Sequence, residues 1–186
     1  MKSIALILIN QKKAFENIGS EFSDKLHRKS IYLFGFYGMV KFFFDFSKED
    51  SQNEFFIIFL ELIMSVGFSI LIFMCLSLLI YWSGKKLNGI AEDVDIESIV
   101  AHSLIPIIIG LLIVMILKNS LFFKSDWNNP YSRNSVLWIS WLLYIKILLQ
   151  GSKRFNKFSL GKSLITISPV ILINLGALII YFIFQL

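Results

Sequence analysis

The sequence predicts an all-α integral membrane bundle of five transmembrane helices behind a short amphipathic N-terminal segment. Three observations predict it. The 186 residues are 56% hydrophobic and only 17% charged, and the mean hydropathy is +0.70, whereas soluble domains are nearer 45–50% apolar and about 25% charged. The apolar residues fall in blocks long enough for a helix to cross a bilayer, about 20 residues each. No alternating segments of strand length recur, which argues against a β-barrel.

The leader, residues 1–30, is too polar to span. Ile7, Phe15, Ile18, Phe22 and Leu26 recur at helical spacing with Lys and Glu between them. Such a segment either lies in the membrane interface or packs on loops of its own protein. Lys2 followed by Ile4–Ile9 resembles the start of a signal peptide. The apolar part is too short, however, and Gln11-Lys12-Lys13 stands where small residues would mark cleavage. The segment is therefore expected to be retained.

The five expected spans are residues 31–46, 55–82, 99–117, 135–149 and 163–184, so that residues 31–186 form one transmembrane domain. The first is the poorest, since Lys41 interrupts it. Lys and Arg favour the cytoplasmic side. Of 18 such residues, twelve fall in the leader and in the loops at 83–98 and 150–162, four fall on the other side, and Lys41 and Lys146 lie in spans. This bias predicts a cytoplasmic N-terminus, an external C-terminus and an odd number of spans. Tyr81 and Trp82 suit one interfacial aromatic belt, and Trp127, Tyr131 and Tyr181 the other.

Two hairpins echo each other. LLIYWSGKKLNGI leads through an acidic linker to AHSLIPIIIG, and WLLYIKILLQGSKRFNKF leads through GKS to TISPVILINLG. Each has a span, a Gly, basic residues, an Asn, and a second span with an early Ser and Pro. Proline in a helix interior costs about 3 kcal/mol, and lipid offers nothing to the backbone groups it frees. Ser103 beside Pro106 and Ser168 beside Pro169 are the expected helpers, with Gly110 and Gly176 allowing close helix contact. The kinks either shape the bundle or serve as a hinge or shallow cavity.

Polar residues inside spans are costly and are paired or functional. Counted inward from the outer ends at about 1.5 Å per residue, Lys41 and Glu61 lie within roughly 2 Å of the same depth, so a Lys41–Glu61 contact is expected, with snorkelling to the surface as the alternative. His102 and Lys146 sit near the cytoplasmic face and Asn174 near the midplane. They read as packing and hydrogen-bonding residues, or as the polar site of a small transporter or channel component. Glu92, Asp93, Asp95 and Glu97 precede the third span. Acids suit a helix N-terminus, and these could also face the basic loop at 153–162 or dock a protein. Gly161-Lys162-Ser163 ends like a phosphate-binding loop, but position 156 is Asn where that loop needs Gly. No catalytic, cofactor-binding, metal-binding or nucleic-acid-reading motif is found. The only cysteine, Cys75, lies in a span, so there is no disulfide framework.

INQKKAFENI, IVAHSLIPIIIG and WISWLLYIKILLQGSKRFNKFSLGKSLITISPVIL together resemble the Yip family, the Ypt/Rab-interacting membrane proteins, and especially their bacterial Yip-domain relatives. The resemblance covers nearly the whole chain. It implies a short cytoplasmic segment and five membrane helices, with a third span opening like Ser103–Pro106 and a fourth leading into a basic loop like Gly151–Lys162. Eukaryotic members act in traffic between endoplasmic reticulum and Golgi and contact Rab GTPases through their cytoplasmic parts. The leader here is shorter than the cytoplasmic domain those members usually carry, so the resemblance implies architecture more firmly than Rab binding. The expected function is non-enzymatic: a membrane-organising or partner-binding scaffold in a bilayer, with a cytoplasmic protein partner or self-association. The expected location is a bacterial cytoplasmic membrane, or alternatively the endoplasmic reticulum or Golgi.

Overall fold

The computed structural model describes residues 2–45, 55–119 and 130–185, with side chains over 6–45, 55–117 and 135–173 and at 176. Among these residues the secondary structure is helical throughout. Two short helices, α1 (Lys2–Ile9) and α2 (Gln11–Gly19), lead into α3 (Ser23–Asp45). Then come α4 (Phe55–Lys86), α5 (Asp93–Ser103), α6 (Ile105–Asn119), α7 (Pro130–Phe155) and α8 (Leu160–Gln185). Three stretches are long and apolar enough to cross a membrane: Phe55–Lys86, Asp93–Leu117 and Ser135–Phe155. Leu160–Ile173 is a shorter apolar one. Trp127 and the connecting segments around it lie outside the described residues, as do the side chains of Tyr131, Asn174 and Tyr181.

The leader packs on its own protein. Ile7, Ala14, Phe15, Ile18 and Leu26 are buried, and Phe15 meets Phe155 of α7 edge-to-face at 6.1 Å. Phe22, on the same expected stripe, is 87% exposed, because it sits at the turn between α2 and α3 and not on a helix face. The third helix begins at Ser23, ahead of the span expected from Ile31, and is continuous to Asp45.

Leu26, Ser30, Phe34 and Gly38 recur every fourth residue on the buried face of α3, the period of one helix side. The alternation of small and large residues lets α3 lie close on α4. A Cβ at Gly38 would come within 2.9 Å of the Ser65 carbonyl oxygen, and the Ser65 hydroxyl donates to the Gly38 carbonyl at 3.1 Å. Farther along, Phe34 stacks on Phe73 and Tyr37 meets Phe73 edge-on. In contrast, α4 leaves much of its length exposed, with Phe59, Phe68, Leu71, Ile72 and Trp82 on the outside. A long apolar helix with so little cover is the signature of a lipid-facing element.

The helix α5 is the inverse. Every residue from Ile96 to Ser103 is buried, so α5 is enclosed on all sides by α3, α4 and α7. Its N-terminus is closed by Asp95, whose Oδ2 accepts the Glu92 N–H at 3.0 Å, as in a capping box. It ends at Leu104, where α6 takes over. Beyond that break, Gly110 of α6 faces Ser140 of α7 so closely that a Cβ would meet the Ser140 Oγ at 2.2 Å.

Both hairpin turns are Schellman motifs. Gly89 N–H donates to Gly84 O at 2.8 Å and Asn88 N–H to Lys85 O at 3.0 Å; Phe158 N–H donates to Lys153 O at 2.9 Å and Lys157 N–H to Arg154 O at 3.3 Å. The residue each motif places in the left-handed region is Asn88 in one turn (φ 66°) and Lys157 in the other (φ 53°). The sequence echo therefore has a structural counterpart, but the asparagines are out of register. Asn88 occupies the left-handed position, whereas Asn156 precedes it and reaches into the first turn.

Candidate functional site

The polar side chains gather at the end of the bundle where α4 and α7 finish, α5 and α8 begin, and the leader is docked. Asn156 ties the two turns together. Its Oδ1 accepts the Ala91 N–H at 3.3 Å, and Gly89 leaves room for it, since a Cβ there would lie 2.2 Å from that oxygen. Ser163 of α8 donates to the Leu149 carbonyl at 2.8 Å. Arg154 pairs with Glu16 of α2 at 3.2 Å, and Lys29 pairs with Glu21. Burial raises the Glu21 carboxyl pKa, but the Lys29 ammonium, helped by Lys25, outweighs it and holds that pKa below the usual carboxylate value.

Within this end, α5 carries four buried polar side chains. Glu97 Oε2 is 2.8 Å from His27 Nδ1 of α3. His102, with no exposed surface, directs Nδ1 at the Ser98 carbonyl at 2.8 Å, which puts the ring proton on Nδ1 and leaves Nε2 as an acceptor. Ser103 donates to Val100 O at 2.6 Å. Among the described residues, four buried side-chain atoms have no hydrogen-bond partner: Glu97 Oε1, His102 Nε2, Ser152 Oγ and Asn156 Nδ2. Burying such an atom without a partner costs about 1–3 kcal/mol.

Two clefts open here. One, of about 370 Å³, lies between the start of α3, the end of α4 and the start of α5, and is lined by Asp24, His27, Leu78, Tyr81, Asp93 and Glu97 among others. The other, of about 420 Å³, lies between α2 and α7 beside Asp95 and Arg154. The acidic run ahead of the third span is thus divided. Asp95 lines the second cleft together with Arg154, while Asp93 and Glu97 line the first.

The other expected residues scatter. Lys41 does not reach Glu61. Its ammonium pairs with Asp45 one turn along α3 and lies 5.9 Å from the centre of the Phe44 ring. Glu61 is exposed on α4, one turn ahead of Ser65 on the same side of the helix, so the close approach of α3 and α4 did not by itself bring the two charges together. Lys146 is exposed on α7 while His102 is fully enclosed, and neither lines the two clefts. Ser103 and Pro106 are buried at the α5–α6 break, whereas Ser168 and Pro169 are half-buried in α8. Gly110 makes its close contact, but a Cβ at Gly176 would meet nothing within 4 Å. Among the described residues no group of three His, Cys, Asp or Glu is arranged to hold a metal.

His27 and Asn156 carry much of this end and were not singled out from sequence. His27 reaches Glu97 across 70 positions of chain, a distance no local pattern reveals. Asn156 had a readable signal, an Asn at a helix end followed by a turn, but the sequence does not say that it reaches across to the other hairpin.

The Yip1 domain family model matches residues 5–182, in agreement with the resemblance drawn from the sequence. The chain belongs to the Yip1 family. The match covers the leader as well as the helices, so the Yip1 domain includes the docked α2 and the clefts beside it. No curated protein and no solved structure matches the chain. Membership and the three long apolar helices make this a membrane protein.

Proposed function

We propose that this Yip1-family chain is a non-enzymatic scaffold crossing the membrane five times, with the leader and both hairpin turns on the cytoplasmic side. It presents a composite polar surface to a cytoplasmic protein partner or to a second copy of itself. The observation that carries the reading is the docking of the leader. Phe15 and Ile18 are buried against the bundle and Arg154 holds Glu16, so chain segments far apart in sequence form one fixed surface. Ser98, His102 and Ser103 of α5 support the same reading, since they are fully buried among packed helices. The distribution of Lys and Arg supports the orientation, and the membrane that suits it best is a bacterial cytoplasmic one.

The test is a photoreactive residue placed at Lys12, Phe22 or Lys153, compared with one at Leu71, in intact membranes. Discrete protein adducts at the first three and lipid alone at Leu71 are expected. Equal protein adducts at both sets, or none at the leader positions, would contradict a scaffold working through this surface.

A further inference from the structure

The cations at the polar end of the bundle are used unequally. Arg154 pairs with Glu16 and Lys29 with Glu21, so part of the basic charge is neutralised within the protein. Lys85, Lys86, Lys157 and Lys162 are exposed, and among the described residues none of them pairs with a carboxylate. The ammonium groups of Lys85 and Lys162 lie 5.3 and 5.8 Å from the centres of the Tyr81 and Phe158 rings, which orient the charges without cancelling them. The fold brings these lysines to one seam. A Cβ at Gly84 would lie 3.5 Å from both Asn156 and the Thr166 methyl. Lys85 and Lys86 follow Gly84, Lys157 follows Asn156, and Lys162 precedes Thr166 by one turn. All four therefore flank the place where α4 ends and α8 begins. Lys157 also holds the left-handed position of its turn at φ 53°, where glycine would carry no Cβ penalty. The chain keeps a cation where the backbone favours glycine.

Next to the lysines the surface is apolar and open. Trp82 is 62% exposed, one turn before Lys85 and Lys86, and the same side of α4 continues through Leu78 and Leu71. On α8, Ile165 and Leu172 follow Lys162 at helical spacing and are 58% and 66% exposed. A tryptophan between exposed lysines and a lipid-facing run marks the headgroup level of a bilayer. We infer that this seam docks an anionic phospholipid of the surrounding leaflet. Lys85, Lys157 and Lys162 take its phosphate, and its acyl chains lie against Trp82, Ile165 and Leu172. The occupant follows from the two halves of the surface together. A soluble acidic protein matches the lysines but not the apolar strip, which runs on down α4 and α8 into the membrane. A zwitterionic lipid matches the strip but leaves the uncompensated positive charge without a counter-charge. The site requires only the membrane embedding already described and not a protein partner at the leader, so this inference and the scaffold reading can fail separately.

The test uses the full chain in detergent, titrated with short-chain phosphatidylglycerol, short-chain phosphatidylcholine or glycerol phosphate, with binding read by native mass spectrometry. Phosphatidylglycerol is expected to bind at least about tenfold more tightly than phosphatidylcholine, with the difference shrinking as salt rises. Lys85→Gln combined with Lys162→Gln should remove that preference, and Lys85→Arg combined with Lys162→Arg should keep it. Lys12→Gln combined with Lys13→Gln, an equal loss of exposed charge on α2, should leave it unchanged. Lys157→Gly should reduce the preference several-fold even as it raises the melting temperature, which separates lost binding from lost folding. Equal binding of the two lipids, an undiminished preference in the Lys85 and Lys162 glutamine variant or in Lys157→Gly, or an equal loss in the Lys12 and Lys13 variant overturns the site. Glycerol phosphate binding as tightly as phosphatidylglycerol overturns a membrane lipid as the occupant.

Discussion

The two Ser–Pro helices read alike in sequence and behave differently. At Pro106 the helix breaks. Leu104 N–H turns back to Ala101 O at 3.2 Å, one residue short of its helical partner Val100, and the Ser103 hydroxyl takes the Val100 carbonyl instead. At Pro169 the helix continues from Leu160 to Gln185. The carbonyl that proline leaves without a donor is Ile165 O, four residues back, and the Ser168 hydroxyl donates to it at 2.8 Å. The serines repair both sites, by different routes. The difference follows from surroundings. Residues 96–108 are almost wholly enclosed, and the break lets α6 turn so that Gly110 can meet Ser140. Pro169 lies at the half-exposed edge of the bundle, where no neighbour demands a bend.

The glycines four and seven residues beyond these prolines give the sharpest way to break the comparison. Gly110→Ala should destabilise by about 1–3 kcal/mol, because the new methyl displaces the Ser140 hydroxyl from its bond to Val136 O. Gly176→Ala has open space and should be neutral or stabilise by up to about 1 kcal/mol. Thermal unfolding in detergent reads both, and equal losses would refute the asymmetry. The serines come next. Ser103→Ala should cost about 1–2 kcal/mol by orphaning a buried carbonyl, and Ser168→Ala about 0.5 kcal/mol, the low end for a hydrogen bond, because that site is half-exposed.

Smaller effects separate the two turns. Lys157→Gly relieves a left-handed residue that carries a Cβ and should stabilise by about 0.5–1 kcal/mol. Asn88→Gly should change stability by only a few tenths of a kcal/mol, since asparagine tolerates that conformation, about. The smallest effect is electrostatic. With its folded pKa held below the usual value by Lys29, Glu21 contributes stability that is present above the unfolded pKa of about 4.3 and lost as pH falls through the lower folded value. Glu21→Gln should therefore lower the melting temperature slightly at neutral pH, with the difference from the unsubstituted chain vanishing as pH falls below the folded value, so that the acid side of the profile flattens.

Helix type and the positions of the apolar blocks were legible because burial in lipid or core imposes long hydrophobic runs. The leader stripe of Ile7, Phe15, Ile18 and Leu26 was legible for the same reason, although the pattern did not say which surface it would meet. The hairpin echo was legible because both turns need a left-handed residue after a basic helix end. What stayed hidden was azimuth. Lys41 turns to Asp45 on its own helix and not to Glu61, and His102 and Lys146 share a side but differ completely in burial. Depth follows from counting residues along a helix. Direction depends on which neighbours pack around it, and the His27–Glu97 and Asn156–Ala91 contacts are set by that packing alone.

The central claim is that the leader and both Schellman turns share one membrane face in a five-span chain. Cysteine accessibility mapping in a Cys75→Ser background tests it most directly, with single cysteines at Ser20, Asn88, Lys153, Gln52, Asn129 and Gln185. Labelling of Gln52, Asn129 and Gln185 from outside, with the other three protected, is the result the account predicts. Labelling of Ser20 and Gln52 from the same side would mean that α3 does not cross, and would contradict it.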